Sequence, residues 1–412
     1  MNLSIIVCVY NTPRELFKRC LSSLKQSTLF SPDSKYSAEI IMIDDGSLTD
    51  YSDLIEEYGL RCVKTENQGI FRARAFGVSL ASGEYVTFVD SDDTVSFNYH
   101  CPMLEKAESD HADIVINDWA YHTDSSRYYT DADSTITTEN MRLSNSEAIT
   151  AFLSQEGREH SYYVLWNKLY SRELLSLATN KAQEDSREIE RYNYSEDALI
   201  NFYAFLNAKI VVNLHTGYYF YRIHSSQSVR VTREHTLKSQ ISQMSLTLNK
   251  MDSAIKSHQN YDSLREHIQA WREFIARSHF THAKSGSFTS LYSYIRDKYG
   301  VEKLKRSTYR DEICGMRCTP LPDNFTEIDA ALFSAWKRGV APAPPQKSIT
   351  YVGRTIDYFI AHGLKSAHEA PQVPNAEIPF KKRLLFNKAL MRIARVLFPK
   401  GSKIRSFLKK RL

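Results

Sequence analysis

The chain has 412 residues, of which 42% are hydrophobic and 25% are charged, and it carries a formal net charge of +5. This length predicts two or three domains, and the composition is ordinary for a soluble globular protein. No window offers about 18 consecutive apolar residues, so a membrane-spanning helix is not expected. The N-terminal stretch has neither a basic segment nor a cleavage site, and we interpret it as a first strand and not as a signal peptide.

The positive charge is concentrated near the C-terminus. Between Ile378 and Leu412 there are 12 Lys and Arg residues and no acid, so the remainder carries a net charge of −7 (5 − 12). The six cysteines are scattered, which fits a reducing cytoplasm better than a disulfide framework. We therefore expect a cytoplasmic protein with a mildly acidic body and a basic tail.

Apolar runs of strand length alternate with helix-period segments in the first part of the chain. The runs predicted as buried strands lie at 3–11, 39–47, 61–67 and 85–90. The segments predicted as helices lie at 14–26, 48–59 and 70–83, and Gly83 is expected to close the last. Buried strands that alternate with helices indicate βαβ units, and therefore an α/β fold with a mostly parallel central sheet.

Polar residues follow these predicted strands at the points where the strands end. In a parallel sheet the carboxyl ends of the strands meet at one edge, and ligands bind beyond that edge. We therefore expect one polar edge, formed by Tyr10, Asn11, Asp44, Asp45, Asn67 and the residues from Asp90 to Asp93.

The rest of the chain is predicted to contain further strands at 112–118 and 209–214 and a helix at 195–208. After about residue 235 the pattern becomes helical, and Pro-rich stretches follow it. The predicted domains are an α/β domain at 1–232, a helical domain at 233–345, a Pro-containing linker region at 346–378 and a basic tail at 379–412.

The basic tail contains an amphipathic segment. On a helix its basic residues would share one face, and its apolar residues would cover the remaining arc. The basic face is Lys381, Lys388, Arg392 and Arg395, and the apolar arc is Leu385, Leu390, Ile393, Val396 and Leu397. This pattern is typical of a helix in an anionic membrane interface. The alternative is a helix packed on the protein's own core, whereas nucleic acid is not an expected partner because aromatic residues are sparse there.

Three carboxylates, those of Asp90, Asp92 and Asp93, follow the fourth predicted strand. Like charges at this spacing disfavour joint ionisation, and burying one unpaired carboxylate costs on the order of several kcal/mol. A divalent cation such as Mg²⁺ or Mn²⁺ would relieve both costs, because it prefers oxygen ligands and keeps positions open for substrate phosphates. The alternative is a turn in which one Asp caps the next element and the others are solvated.

Several motifs together resemble the family 2 glycosyltransferases of GT-A fold. They are SIIVCVYN, IIMIDDGSLTD, NQGIFRARAFGVSLASGEYVTFVDSDD and YSEDALI, in that order, and they cover about residues 1–230. Asp90 and Asp92 occupy the positions of the family's DxD motif. The sequence DADS at 131–134 has similar spacing, but it lies in a stretch predicted as a surface hairpin or loop (121–138), with no strand before it, and we reject it.

The resemblance implies a site for a nucleotide-sugar, usually one that contains uridine. One Asp of the DDGS loop would accept a hydrogen bond from uracil N3–H, and a Tyr ring would stack on the base. The positions implied are Val9, Tyr10, Asn11, Asp44, Asp45, Asn67, Arg74, Asp90 and Ser91. Two departures from the family pattern, Cys8 in place of Pro and Ala75 in place of Asn, leave the identity of the donor open.

The resemblance also implies a metal ion and a catalytic base. Asp92 and His224 would hold Mn²⁺ or Mg²⁺ against the diphosphate, which would neutralise the leaving group. Asp197 would take the proton of the acceptor hydroxyl, and Glu196 would orient it. The alternative is that Ser195, Glu196 and Asp197 only cap the helix that follows and favour its dipole.

The stretch Trp166-Asn167-Lys168 matches family positions on the acceptor side. Trp166 is either a platform on which a sugar stacks or a core residue, and the sequence does not decide between them.

These expectations add up to an inverting, metal-dependent glycosyltransferase. It would move a sugar from a UDP-sugar to a hydroxyl of a cell-surface glycan or polyol-phosphate polymer. The tail would bring it to the inner face of the cell membrane, where lipid-linked acceptors lie, and a homo-oligomer is possible. The alternatives are a nucleotidyltransferase that makes a nucleotide-sugar and a non-catalytic, membrane-associated glycan-binding or scaffold protein.

Overall fold

The computed structural model describes residues 1–123, 128–131, 141–157, 160–223, 233–301 and 318–320. Within these ranges the chain forms two β-sheets, and helices cover both faces of the larger sheet. This architecture confirms the predicted α/β class with a mostly parallel central sheet.

The described strands are, in chain order, β1 Leu3–Val9, β2 Ala38–Asp44, β3 Arg61–Lys64, β4 Tyr85–Phe88, β5 Thr94–Val95, β6 Ile114–Ile116, β7 Trp119–Thr123, β8 Tyr128–Asp131, β9 Arg142–Ser144, β10 Lys168–Ser171, β11 Ile210–Asn213, β12 Tyr219–Ile223 and β13 Cys318–Pro320. The described α-helices are α1 Arg14–Lys25, α2 Ser52–Tyr58, α3 Ile70–Leu80, α4 His100–Asp110, α5 Ser146–Ser154, α6 His160–Tyr163, α7 Arg172–Asp185, α8 Glu196–Asn207, α9 Glu234–Ala254, α10 Tyr261–Ser285 and α11 Leu291–Tyr299. A short 3₁₀ turn spans Thr28–Phe30.

The larger sheet has the strand order β3-β2-β1-β4-β10-β6-β11-β9. β1 runs parallel to β2 and β4, and β2 runs parallel to β3, as the alternation of strands and helices predicts. β10 is antiparallel to both of its neighbours, β4 and β6. Val9 lies beside Asp44 in the β1–β2 register, so these strands end together and their following loops share one edge.

The smaller sheet has the order β13-β8-β7-β12-β5. β7 and β8 pair in antiparallel fashion, with Tyr121 opposite Tyr129, as expected for a hairpin within the predicted stretch 121–138. Asp131 is the last residue of β8, so the DADS sequence does follow a strand, and our reason for rejecting it was wrong. The rest of DADS lies outside the described residues.

The two faces of the larger sheet pack against different sets of helices because side chains alternate along a strand. Ile5 and Val7 of β1 point to a cluster that contains α1, α2 and α4 residues. Ile6 points the other way, to a cluster that contains residues of α3, α5, α7 and α8. Burial of both faces explains why the strands appear in the sequence as continuous apolar runs.

Helix α3 ends three residues earlier than expected. It stops at Leu80, because Ala81 has an extended backbone (φ −65°, ψ 132°). Gly83 has a different role from closing the helix. A Cβ on Gly83 would lie 2.5 Å from the backbone nitrogen of Ser4, so only glycine lets the chain pass this close to β1.

Helices α9 to α11 pack against the α/β region. Leu237, Ile241 and Leu248 of α9 belong to the same apolar cluster as Ile6 of β1 and Phe202 of α8. The predicted boundary at residue 232 stays a prediction, but across it the described helices share one core. Of the predicted helical domain only 233–301 and 318–320 are described, and the linker region and basic tail lie outside.

Among the described helices, none combines the length and the apolar character that crossing a bilayer requires.

The imidazole of His100 is buried at the start of α4, and neither ring nitrogen has a hydrogen-bond partner among the described residues. Burial lowers the pKa of His100 to about 3. The unfolded chain binds a proton here below about pH 6.5 and the folded chain does not, so this residue destabilises the fold as the pH falls.

We therefore expect His100→Leu to become more stable relative to the wild type on acidification. The difference in the free energy of unfolding should grow by about 2 kcal/mol between pH 7.5 and pH 5. Urea unfolding at both pH values measures it. Leu104→Ala, at a buried leucine of the same helix, provides the control, because leucine binds no proton and the difference from the wild type should be the same at both pH values. An equal change with pH in both variants would contradict the assignment.

Candidate active site

The loops after β1 and β2 are joined by hydrogen bonds at the carboxyl edge of the larger sheet. Asn11, in the left-handed region with φ 51°, accepts from the Leu48 N–H through Oδ1 at 2.8 Å. Its own backbone N–H donates to Ser47 Oγ at 2.9 Å. Asn tolerates this backbone conformation better than most residues, which gives it a structural role here in addition to the predicted nucleotide contact.

Asp44 and Asp45 are both buried, and both carboxylates accept backbone hydrogen bonds. Asp45 accepts from the N–H of Gln68 at 2.8 Å and of Gly69 at 2.9 Å, just before α3 begins. Asp44 accepts from the Ser47 N–H at 2.8 Å. These bonds fix the DDGS loop, and a uracil N3–H would have to use a remaining lone pair of one carboxylate, so that contact stays a prediction.

The other implied nucleotide positions differ in exposure. Tyr10 is 55% exposed, so its ring is open to stacking, whereas Val9 is buried and its carbonyl accepts from the Asp45 N–H. Ser91 is buried and its hydroxyl bonds to that of Thr12 at 2.6 Å. The Asn67 carbonyl accepts from an Arg191 guanidinium nitrogen at 3.2 Å.

The three acids after β4 have different environments. Asp93 is buried and accepts from the Tyr219 hydroxyl and the Arg222 backbone N–H, both at 2.7 Å. Burial raises the pKa of Asp93 well above its usual range, and the charges of Asp92 and Asp90 add to this. Asp93 is thus an anchor between the DSDD loop and β12, a role that the sequence analysis missed.

Asp92 is half-buried on the same loop, between Asp90, which binds Arg74, and Asp93, which binds β12. Its hard carboxylate oxygens suit Mg²⁺ or Mn²⁺. No group of three or more His, Cys, Asp or Glu side chains that could hold a metal occurs in the described part of the chain. His224 lies outside it, so diphosphate oxygens and that segment would have to complete the shell.

Arg74 lies at the centre of the site and is 5% exposed. Its Nη2 donates to Asp90 at 2.9 Å, and its Nη1 donates to Glu196 at 3.1 Å and to Asp197. The predicted contact of Arg74 with the nucleotide stays a prediction, and in the structure its guanidinium binds three protein carboxylates. An arginine on the buried face of α3, in register with Phe71 and Val78, was the sequence signal for this role.

Glu196 and Asp197 form the first turn of α8, after Ser195 with φ 66°. Burial raises the pKa of Asp197, while the Arg74 guanidinium opposes the shift. Burial and the Asp197 charge raise the pKa of Glu196 well above its usual range. No side chain caps this helix among the described residues, so the pair is not explained by capping alone.

The stretch from Trp166 to Lys168 is buried, and its predicted place on the acceptor side stays a prediction. Trp166 is 4% exposed and stacks on Tyr219 at 4.4 Å between ring centroids, which decides in favour of a core residue. Asn167 and Lys168 are fully buried, and the Lys168 ammonium donates to the carbonyl of Val164 and to Asn167 Oδ1 at 2.9 Å.

Asn201 links these buried residues to the acidic pair. Its amide donates to the carbonyls of Val164 and Asp197, both at 3.1 Å. Lys168 and Asn201 of α8 thus share the Val164 carbonyl as an acceptor, so the stretch 166–168 packs against α8 in the core and does not line the site.

Comparison with known proteins identifies the region that contains the strand-end loops and Arg74, whereas Glu196 and Asp197 lie beyond it. Residues 4–176 match the family model described as glycosyl transferase family 2. EpsH of Bacillus subtilis, which bears a provisional glycosyltransferase name, is 31% identical over 233 residues, or 55% of this chain and 62% of its own. The glycosyltransferase GlyA of Streptococcus pneumoniae is 24% identical over 367 residues, or 87% of this chain and 48% of its own. The chain thus spans between about half and three fifths of these relatives.

Among solved structures, Staphylococcus aureus TarS 1–349 in complex with UDP-GlcNAc is similar in fold. It has a TM-score of 0.51 and 17% identity, and the match covers 83% of this chain and 93% of TarS 1–349. At this identity the likeness concerns the fold alone, and it agrees with the GT-A architecture of the larger sheet and its helices.

The Asp93 anchor leads to a test of stability. Tyr219→Phe removes the hydroxyl that donates to Asp93 and accepts the Asp90 N–H at 3.0 Å. Leaving a buried carboxylate short of one donor should lower the free energy of unfolding by about 1–3 kcal/mol, measured by urea unfolding. Tyr10→Phe, at an exposed ring, should change it by less than about 0.5 kcal/mol. Equal stability of the Tyr219→Phe variant and the wild type would show that the anchor is not needed.

Proposed function

Because residues 4–176 belong to glycosyl transferase family 2, we propose that the protein is an inverting glycosyltransferase. It moves a sugar from a UDP-sugar to a hydroxyl of a cell-surface glycan or polyol-phosphate polymer. The observation that carries this proposal is the convergence of the DxD residue Asp90 with Glu196 and Asp197 on one buried arginine, Arg74. In that arrangement the proposed base would lie beside the end of the site that would hold the donor.

Asp197 acts as the general base. The acceptor oxygen forms a bond to C1 of the sugar while the bond from C1 to the diphosphate oxygen breaks, and the acceptor proton passes to the Asp197 carboxylate. Burial raises the pKa of Asp197, and a base whose pKa lies closer to neutrality takes the proton more effectively. Glu196, which keeps its proton to higher pH than an ordinary carboxyl, orients Asp197.

Asp92, with His224 and the diphosphate oxygens, would hold a divalent cation, Mn²⁺ or Mg²⁺. When bound, that ion neutralises the charge that develops on the leaving UDP. Asp90 lies on the same loop as Asp92 and is bound by Arg74. The loop would therefore present the Asp92 carboxylate to the ion, while Arg74 keeps the Asp90 carboxylate in place.

The donor site is formed by the DDGS loop and Tyr10. The exposed ring of Tyr10 offers a face to a base, and the Asp44 and Asp45 carboxylates lie in the next loop. TarS, which has the same fold, was crystallised with UDP-GlcNAc, so UDP-GlcNAc is the first donor to test.

Two other functions fit the residues less well. A nucleotidyltransferase would need a Gly-rich phosphate loop after its first strand, and the residues that follow β1, NTPRELF, contain no glycine. A non-catalytic scaffold would not need Asp92 and Asp197, which are both present with their neighbours in place.

The basic tail suggests where the enzyme works. We place it in the cytoplasm, at the inner face of the cell membrane, with residues 379–412 lying on anionic lipid near lipid-linked acceptors. The support for this is the sequence pattern of the tail, since these residues lie outside the described part.

The mechanism predicts different defects for the two key acids. Asp197→Asn should keep the affinity for UDP and lower turnover of the UDP-sugar by about 100-fold or more, because the base is lost. Asp92→Asn should weaken UDP binding in Mn²⁺ by at least about tenfold, because a carboxylate ligand is lost. Calorimetry with UDP and release of UDP from UDP-GlcNAc and other UDP-sugars measure these effects.

The exposed Asp33 offers a matched control, and Asp33→Asn should behave as wild type in both assays. Wild-type turnover by Asp197→Asn would rule out its role as base. A wild-type protein that UDP and Mn²⁺ do not stabilise against heat, and that releases no UDP, would favour the scaffold.

For the tail, deleting residues 379–412 should abolish sedimentation with anionic liposomes and leave UDP release from a soluble assay unchanged. Neutral liposomes are the control, since the attraction is electrostatic. Replacing Lys381, Lys388, Arg392 and Arg395 by Gln should weaken binding in the same direction. Unchanged sedimentation of the truncated protein would contradict the membrane assignment.

A further inference from the structure

Helix α9 binds the loop that leads into α8, the helix that carries Asp197. Gln243 Oε1 accepts hydrogen bonds from the backbone N–H groups of Asn193 and Tyr194, both at 2.9 Å. Gln243 is buried, and its Nε2 donates to Ser239 Oγ at 2.9 Å, which fixes the amide orientation. Because these bonds reach backbone groups, they determine the path of the loop directly.

One turn further along α9, Thr247 contacts the same loop before α8. It is fully buried, and its hydroxyl donates to the carbonyl of Gln243 at 3.0 Å. The hydroxyl of Ser195 lies 2.7 Å away and that of Tyr192 is also in hydrogen-bond contact, so both can donate to Thr247. Gln243 and Thr247 together therefore contact each residue from 192 to 195.

The conformation held by these contacts is a strained one. Ser195 has φ 66°, a left-handed backbone conformation that is unfavourable for serine and persists only where neighbours enforce it. The Ser195 carbonyl accepts the N–H of Leu199 at 3.2 Å, so Ser195 determines where α8 begins. Asp197 is the second residue of that helix, so the position of its backbone depends on where Ser195 starts the helix.

The same loop also contacts the donor side of the site. A Cβ on Gly69, which precedes α3, would lie 2.2 Å from the Asn193 side-chain oxygen. Arg191 reaches the carbonyl of Asn67 at 3.2 Å. Residues 191–195 thus lie between the loops proposed to hold the nucleotide and the proposed base, and α9 supports them from the other side.

We propose that Gln243 and Thr247 of α9 are positioning residues that hold Asp197 in its working place relative to the donor. The inference rests on the proposed function, because it needs Asp197 as the base. It assigns to the helical segment after residue 232 a part in turnover. Nucleotide affinity should depend little on the two residues, because their described hydrogen bonds stay within α9 and residues 192–195.

The test separates binding from turnover in the full-length chain. Gln243→Leu removes the acceptor of two buried N–H groups, and we expect kcat for the UDP-sugar to fall by about tenfold or more. KM for the UDP-sugar and Kd for UDP should stay within about twofold of wild type. Hydrogen–deuterium exchange at Asn193 and Tyr194 should become faster, because their amides lose their partner.

A conservative variant supplies the rescue. In Gln243→Glu a carboxylate oxygen can accept the same two N–H groups, so kcat should return to within about threefold of wild type. Thr247→Val, which keeps the shape and removes the hydroxyl, should lower kcat with the same unchanged Kd for UDP. This second variant keeps the inference testable if Gln243→Leu does not fold.

Gln240 provides the matched control, because it is a buried glutamine one turn earlier on α9 and makes no described hydrogen bond to residues 192–195. Gln240→Leu should keep kcat within about twofold of wild type. An equal loss in Gln240→Leu, or a raised KM with unchanged kcat in Gln243→Leu, would overturn the inference and leave the proposed function standing. A wild-type protein that turns over no UDP-sugar would overturn both.

Discussion

The site depends on one buried cation, the guanidinium of Arg74, which binds three carboxylates from two distant parts of the chain. Asp90 comes from the loop after β4, and Glu196 and Asp197 come from α8, more than 100 residues later. Burial disfavours the charges of Arg74, Glu196 and Asp197, and removing one partner of a buried pair typically costs about 3–5 kcal/mol. Arg74 therefore holds the proposed donor side and the proposed base together, and the planar fork of its nitrogens suits this better than a lysine would.

Sequence periodicity predicted much of the fold, but it predicted little about which side chain has which role in the site. Continuous apolar runs identified β1, β2 and β4, because strands covered on both faces show no alternation. The acids after β4 were located correctly as a group, but adjacent positions in a loop do not reveal which side chain turns inward. That choice is made by Tyr219 and Arg222, which lie more than 120 residues away.

Burial explains the other differences between expectation and structure. Trp166 and Lys168 carry side chains that suit a binding surface, yet both lie in the core, where Tyr219 stacks on Trp166 and a carbonyl satisfies the Lys168 ammonium. In the same way, helical periodicity after residue 235 indicates an apolar face without naming its partner. That partner is the α/β region itself, through the cluster that Ile6 shares with Leu237.

The anchor formed by Asp93 also limits which segments of this chain can be exchanged for those of a relative. β12 ends at Ile223, one residue before the implied metal ligand, and its register against the DSDD loop is set by Tyr219 and the Arg222 amide. Consider a chimera in which residues 217–232 are replaced by those of a relative, in order to change the chemistry at that end. Its strand would be complementary to the acidic loop of the relative and not to the DSDD loop of this chain. Residues 90–96 would have to be replaced together with it, so the two segments can be exchanged only as a pair.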